Sequence, residues 1–112
     1  MSNVTNLLLH IGMLEDEKAK IQEVNAYFEQ RQVRPLISLD DEHLPRGWYG
    51  GDKYLECRLY VGAFNYLYLD EFIEHLKTIT WEEPEALQLM VKEERDDLFQ
   101  VIQVVRTHRR KS

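Results

Sequence analysis

The chain has 112 residues, of which 44% are hydrophobic and 30% are charged, and its formal net charge is −6. That length supports one hydrophobic core rather than two, and the hydrophobic content excludes an intrinsically disordered chain. The single cysteine, Cys57, excludes an internal disulfide and Cys-rich metal sites, and the lack of an apolar run of ~20 residues or of a leader-like start predicts a cytoplasmic protein.

The first predicted element is a strand over residues 4–11. Apolar side chains occur on both sides of its alternation, with Leu7 and Leu9 on one side and Leu8 and His10 on the other. This pattern predicts a strand that is substantially buried on both faces.

A helix and a short strand follow. Residues 14–32 contain three consecutive acidic residues near their start and then repeat apolar side chains at helical spacing, which predicts the first helix. A short second strand is predicted over residues 36–39, after Pro35. Residues 40–53 then form a long loop.

The third predicted strand covers residues 54–61 and alternates cleanly. Its odd-numbered side chains are apolar and are assigned to the core. The side chains assigned to the opposite, uncovered face are Tyr54, Glu56, Arg58 and Tyr60. With this assignment the thiol of Cys57 points inward and acts as an inert small hydrophobe.

The second half of the chain predicts a helix and two strands. Residues 69–79 place apolar side chains on one stripe with acids in the first turn, which predicts the second helix. Pro84 makes further helix unfavourable. Residues 86–92 and 98–105 then read as two strands around a polar turn.

The resulting order, βαββαββ, predicts an α+β fold with two layers. Both helices are expected to cover one face of a mainly antiparallel sheet, as in a ferredoxin-like unit with an added terminal strand. The opposite face must then meet water, a second copy of the chain or a partner. The residues expected on that face are His10, Tyr54, Arg58, Tyr60 and Gln88.

Charge is distributed unevenly along the chain. Residues 106–112 hold four basic side chains and no acid, so residues 1–105 carry ten basic against twenty acidic side chains, a net charge of −10. We predict a single α+β domain over residues 1–105 and a frayed basic tail over residues 106–112. The negative domain argues against a nucleic acid partner, because phosphate groups would be repelled.

No segment carries a recognised catalytic or metal-binding motif. The four histidines lie in four separate segments, and the spacing of Glu71 and His75 is more typical of a surface pair on a helix than of a metal site. Neither a nucleophile elbow nor a phosphate-binding glycine loop is present. We predict no catalytic residue, no metal and no cofactor, although an enzyme is not excluded.

The loop segment LPRGWYGGDK, residues 44–53, sets two large aromatic side chains between glycines. Two interpretations remain open: a lid in which Trp48 plugs an edge of the sheet, or an anchor for a partner. Tryptophan, tyrosine and arginine are enriched at binding hot spots. The predicted partner-binding residues are Arg46, Trp48, Tyr49, Tyr54, Arg58 and Tyr60.

Three segments resemble a group of short uncharacterised bacterial proteins of similar length. The segments are LPRGWYGG, VGAFNYLYLDEFIEHLKTITWEEPE and LQLMVKEERDDLFQVI. The resemblance brings no established activity with it. Small acidic bacterial proteins of this shape are also similar to the antidotes found beside secreted toxins, which implies an immunity function.

The sequence therefore predicts a non-catalytic, protein-binding domain of the bacterial cytoplasm. Its negative surface would steer it onto a basic partner such as a toxin, in the role of an immunity or inhibitor protein. The first alternative is a small ligand-binding or enzymatic domain with a pocket between the Trp48 loop and the uncovered sheet face. The second is a structural protein that forms a homodimer through that face.

Overall fold

The computed structural model describes residues 3–12, 14–39, 43 and 58–105. Two helices and five strands follow in the predicted order, which confirms the α+β class. The elements are β1 (Val4–His10), α1 (Glu17–Gln30), β2 (Ile37–Ser38), β3 (Leu59–Asn65), α2 (Leu69–Thr78), a 3-10 turn (Pro84–Ala86), β4 (Gln88–Glu93) and β5 (Gln100–Gln103).

The five strands form one antiparallel sheet in the order β2-β3-β1-β4-β5. Strand β1 lies at the centre, where Leu7 is opposite Gly62 on one side and Val91 on the other. The terminal strand β5 pairs with β4, as an added strand of a hairpin would. The ferredoxin-like description of this arrangement stays a prediction.

Both helices pack against the same face of the sheet. The ring of Phe28 in α1 stacks on Phe64 of β3 with centroids 4.3 Å apart, and Phe72 of α2 lies 4.9 Å from Phe28. Leu7 and Leu9 of β1 are fully buried in this one core, whereas Leu8 and His10 on the other face are half-buried. The predicted division of β1 into two faces is therefore confirmed.

Over residues 58–61, the described part of the predicted third strand, the predicted face assignment is wrong. Tyr60 is 6% exposed in the core, and its hydroxyl donates a hydrogen bond to the carboxylate of Glu17 at the start of α1. Arg58 lies on the same side, with Nε 3.1 Å from Oε1 of Glu17. The uncovered face carries Leu59 instead. The large ring of Tyr60 removes more apolar area from water than Leu59 would, which favours this orientation.

Gly62 continues the buried face of β3 between Tyr60 and Phe64. A Cβ at this position would lie 2.8 Å from the Phe64 ring and 2.9 Å from Cδ2 of Leu36, and both of those side chains are buried. Glycine is thus required to bring the sheet this close to the stacked rings. Strand β3 runs on to Asn65, further than the predicted end at residue 61.

The helix boundaries follow from local hydrogen bonds. Helix α1 begins after Asp16, whose side chain accepts from the backbone N–H of Ala19 at 3.2 Å, so the helix is shorter than the predicted span of 14–32. Helix α2 is followed by Trp81, which is buried and donates its indole N–H to the Leu76 carbonyl at 2.9 Å. The predicted packing role of Trp81 is confirmed. Within the described ranges, neither helix has the length and apolar content needed to cross a bilayer.

A buried asparagine fixes the segment that leads into β2. Asn25 of α1 accepts from the N–H of Leu36 at 2.9 Å and donates to the Leu36 carbonyl at 3.2 Å. The side-chain amide of Asn25 therefore provides a hydrogen-bond partner for both the N–H and the C=O of Leu36, in place of main-chain groups. This pairing ties β2 to the helix layer.

Candidate functional site

Three of the six residues predicted to bind a partner belong to the predicted loop over residues 40–53. The ones that lie outside the described residues are Arg46, Trp48, Tyr49 and Tyr54. Whether Trp48 is a lid or an anchor stays a prediction. Arg58 and Tyr60 face Glu17 beneath the helices, so they do not lie on the uncovered face with which they were grouped.

The sheet face opposite the helices carries a shallow groove of about 260 Å³. His10 and Gln88 line it, as predicted, and so do the apolar side chains Leu8 and Met90. The Nδ1 atom of His10 lies 3.1 Å from the carbonyl oxygen of Ala86, which fixes the ring. The groove offers a narrow apolar contact surface with few converging polar groups.

A larger cavity, of about 570 Å³, lies at a corner of the helix layer. We call it the aromatic cavity; residues 27–28, 31–34 and 63–68 line it. The end of α1 and the turn after it form one wall, and the end of β3 and the loop into α2 form the other. The stacked rings of Phe28 and Phe64 are part of its buried lining.

Exposed apolar and aromatic side chains surround this cavity. Tyr68 is 71% exposed, Tyr66 is 56% exposed and Val33 is 46% exposed. Single exposed apolar residues are common on protein surfaces, but here three of them line one concave site. The aromatic cavity therefore has a composition typical of a binding surface.

Both described non-glycine residues with positive φ line the aromatic cavity. Gln32 and Tyr66 each have φ of 59°. Such a backbone conformation costs an L-residue of this kind about 1–2 kcal/mol. Gln32 follows the end of α1, and the N–H of the next residue, Val33, donates to the Phe28 carbonyl at 3.1 Å. At the other position, the N–H of Tyr66 donates to the Asn3 carbonyl at 2.9 Å. Backbone strain of this kind is concentrated at binding and catalytic sites.

Arg31 joins the two helices beside the cavity. Its guanidinium carbon lies 3.6 Å from the centroid of the Tyr27 ring, and its Nη1 donates to the Tyr27 carbonyl at 2.9 Å. Its Nη2 lies 3.3 Å from Oε1 of Glu71 on α2. Because both ends of this ion pair are substantially exposed, its Coulomb energy contributes little to stability, and the stacking on Tyr27 holds the guanidinium in place.

The surroundings of Tyr27 displace the pKa of its phenol. Burial raises the pKa of its phenol; the positive charge of Arg31 opposes the rise, and the carboxylate of Glu71 adds to it. The hydroxyl lies 3.2 Å from Glu71 Oε1 and 3.4 Å from the Tyr68 carbonyl. At neutral pH the phenol keeps its proton and shares this one O–H between the two oxygens.

A second concave surface, of about 510 Å³, adjoins the aromatic cavity between the helices. We call it the acidic groove, because Asp70, Glu71 and Glu74 line it. It shares Tyr27 and Arg31 with the aromatic cavity. The aromatic cavity itself has two arginines and no carboxylate among its lining residues. The two surfaces thus differ in charge and meet at the Arg31–Glu71 pair.

The described part of the chain shows no metal centre. No group of three or more His, Cys, Asp or Glu side chains there is arranged to hold an ion. His75, which lines the acidic groove, has its Nε2 atom 2.8 Å from the Glu23 carbonyl oxygen. Every buried side-chain polar atom among these residues has a hydrogen-bond partner.

No protein-family model, curated protein or solved structure matches this chain. The similarity of its three segments to short bacterial proteins stays a prediction. The geometry and charge of the described surfaces are therefore the basis for a functional proposal.

Sequence reasoning missed the aromatic cavity. Its residues come from two separate segments of the chain, 27–34 and 63–68, and neither segment has a known motif. One sequence signal was present: Tyr66 and Tyr68 extend the two-residue alternation of β3 beyond its end at Asn65 with large aromatic side chains. Aromatic side chains that directly follow the end of a strand are candidates for contacts with a partner at the protein surface.

Proposed function

We propose that this chain is a non-catalytic protein-binding domain that receives an apolar side chain of its partner in the aromatic cavity. The observation that carries the proposal is a cavity of about 570 Å³ that is lined by buried stacked rings and surrounded by exposed Tyr66, Tyr68 and Val33. Hot spots of protein interfaces are enriched in tyrosine and arginine and cluster where a partner's side chain fills a desolvated pocket.

The adjoining charges support a basic partner. Asp70, Glu71 and Glu74 stand beside the cavity, and the whole chain has a net charge of −6. A partner segment with an apolar anchor followed by lysine or arginine would place its charges over the acidic groove. Long-range attraction would also speed its association. An inhibitor or immunity protein of the bacterial cytoplasm that acts on a basic toxin would use such a surface.

Selection from a library of displayed random peptides tests this proposal. We expect the wild-type chain to enrich peptides with an aromatic or large aliphatic residue next to basic residues. Tyr68→Ser should weaken the binding of the enriched peptides by at least about tenfold, because it removes an exposed wall of the cavity. The measurement is fluorescence anisotropy with the labelled peptide.

Ile37→Ser is the matched control, since Ile37 is 60% exposed and lies on β2, outside the lining of the cavity. It should leave peptide affinity unchanged, and circular dichroism should show both variants folded. Peptides without a shared apolar and basic pattern, or equal affinities for wild type and Tyr68→Ser, would contradict the proposal.

A small-molecule ligand is a second candidate function. The volume of the aromatic cavity lies within the range of about 300–1,000 Å³ that is usual for ligand sites. Arg31 and Arg34 line it without a carboxylate, which favours an aromatic anion. If no peptide is enriched, but aromatic carboxylates raise the melting temperature of the wild type and not of Arg34→Gln, this second function is supported.

A further inference from the structure

Strand β5 lies at the edge of the sheet that the described residues form, beyond β4. Its backbone pairs with β4 along Gln100–Gln103, and β4 is the one strand of the described residues that pairs with it. An edge strand presents its remaining N–H and C=O groups to any chain that can pair with them. The other edge strand, β2, is only two residues long.

The segment that contains β5 lacks the usual protection of an edge. Residues 98–105, LFQVIQVV, include no charged residue, no proline and no glycine. Leu98 is 78% exposed, Val101 is 59% exposed and Phe99 is 41% exposed. Natural proteins normally protect an exposed edge with lysine, proline or a bulge, since an apolar uncharged strand recruits other strands.

A groove behind this edge enlarges the apolar surface. It measures about 480 Å³ and lies between α2 and the end of β5. Ile73, Ile102 and Val105 line it and are only partly buried against the core. A chain paired along β5 would therefore also cover apolar side chains on the helix side of the sheet.

The charges on either side of the segment have opposite signs. Asp96 and Asp97 precede it, and the sequence that follows it, residues 106–112, carries four basic side chains and no acid. If two copies of this segment pair in antiparallel orientation, the acidic end of each faces the basic end of the other, twice by symmetry. Parallel pairing would instead place like charges together.

We propose that a second copy of this chain pairs antiparallel with β5, about a twofold axis perpendicular to the sheet. The dimer then contains one continuous ten-stranded sheet with the helices of both copies on the same side. The aromatic cavity lies beside β3, with β1 and β4 between it and this edge, so partner binding there is independent of dimer formation.

Molar mass in solution tests the pairing. We expect the wild type to reach twice its monomer mass of 13.4 kDa as concentration rises in sedimentation equilibrium. Val101→Lys should raise the dissociation constant by at least about tenfold, because it places a charge in the apolar contact. Ile37→Lys is the matched control on the opposite edge, since Ile37 is 60% exposed and Val101 is 59% exposed, and it should leave the mass unchanged.

A charge reversal separates this local pairing from general repulsion. Asp97→Lys and Asp70→Lys change the net charge equally, and both should strengthen association if only the net charge of −6 mattered. We expect Asp97→Lys to weaken the dimer and Asp70→Lys, on α2, not to weaken it. A wild type that is monomeric at every concentration overturns the proposal, as does a dimer that tolerates Val101→Lys.

Discussion

At the scale of single residues, Tyr27 links the pH dependence of stability to the candidate site. Its raised pKa means that the folded state holds the phenolic proton more tightly than the unfolded chain does. This contribution to stability is fully present below the ordinary tyrosine pKa of about 10 and is lost as pH rises through the folded value. The phenol therefore favours folding at neutral pH and ceases to do so in alkali.

We expect Tyr27→Phe to reduce the extra loss of stability above about pH 10, since the variant has no proton to lose there. At neutral pH it should cost about 0.5–1.5 kcal/mol, the usual net value of a lost hydrogen bond. Urea unfolding on either side of pH 10 measures both effects. Tyr68→Phe, which removes a phenol that is 71% exposed, is the control. Parallel pH profiles for wild type and Tyr27→Phe would contradict the expectation.

Residues also show where sequence reasoning ends. The alternation of β1 assigned Leu7 and Leu8 to opposite faces correctly, because successive side chains of a strand point to opposite faces and Leu7 and Leu9 are both fully buried on one of them. Strand β3 has apolar side chains on both faces, so a period of two defines the faces without saying which one the helices cover. Tyr60 was misplaced for this reason. The positive φ of Gln32 and Tyr66 had no sequence signal, since neither is glycine.

At the scale of elements, the order of helices and strands was predictable and their junctions were not. Helices α1 and α2 have acids in their first turns and apolar stripes, which are strong local signals. The hydrogen bonds that join α1 to the segment leading into β2 depend on Asn25. From the sequence alone, this asparagine would be assigned to the solvent-exposed surface of the helix. It is 9% exposed instead, because the backbone of Leu36 needs both of its polar groups.

We expect Asn25→Asp to destabilise the fold by about 1–3 kcal/mol, the cost of a buried polar group without its partner. A carboxylate can accept from the N–H of Leu36, but it repels the carbonyl to which the amide now donates. Thermal and urea unfolding measure the loss. Asn65→Asp is the matched control: its Oδ1 accepts from the N–H of Asn3 at 2.8 Å, which a carboxylate can also do. Equal stability of both variants would show that the tie to β2 is unimportant.

At the scale of the whole molecule, the buried apolar side chains of both helices and all strands except β2 and β5 belong to one cluster, which Trp81 joins. One contiguous core predicts one cooperative transition. In the Trp48→Phe variant, Trp81 is the one remaining tryptophan, so tryptophan fluorescence reports its surroundings alone. The midpoint of urea unfolding followed by this fluorescence should coincide with the midpoint followed by far-UV circular dichroism. Separate midpoints would contradict the single domain predicted for residues 1–105.

The central position of β1 in the sheet delays its pairing during synthesis, because both of its neighbouring strands come later in the chain. This strand comes early in the chain, yet Thr5 is held by Glu93, 88 residues later, and Val4 is opposite Asn65. At the usual translation rate of about 5–20 residues per second, the second strand that pairs with β1, which is β4, is synthesised roughly 4–18 seconds after β1. Because this strand has leucines on both faces, we expect the nascent strand to bind a ribosome-associated chaperone, and slowing translation should increase the aggregated fraction.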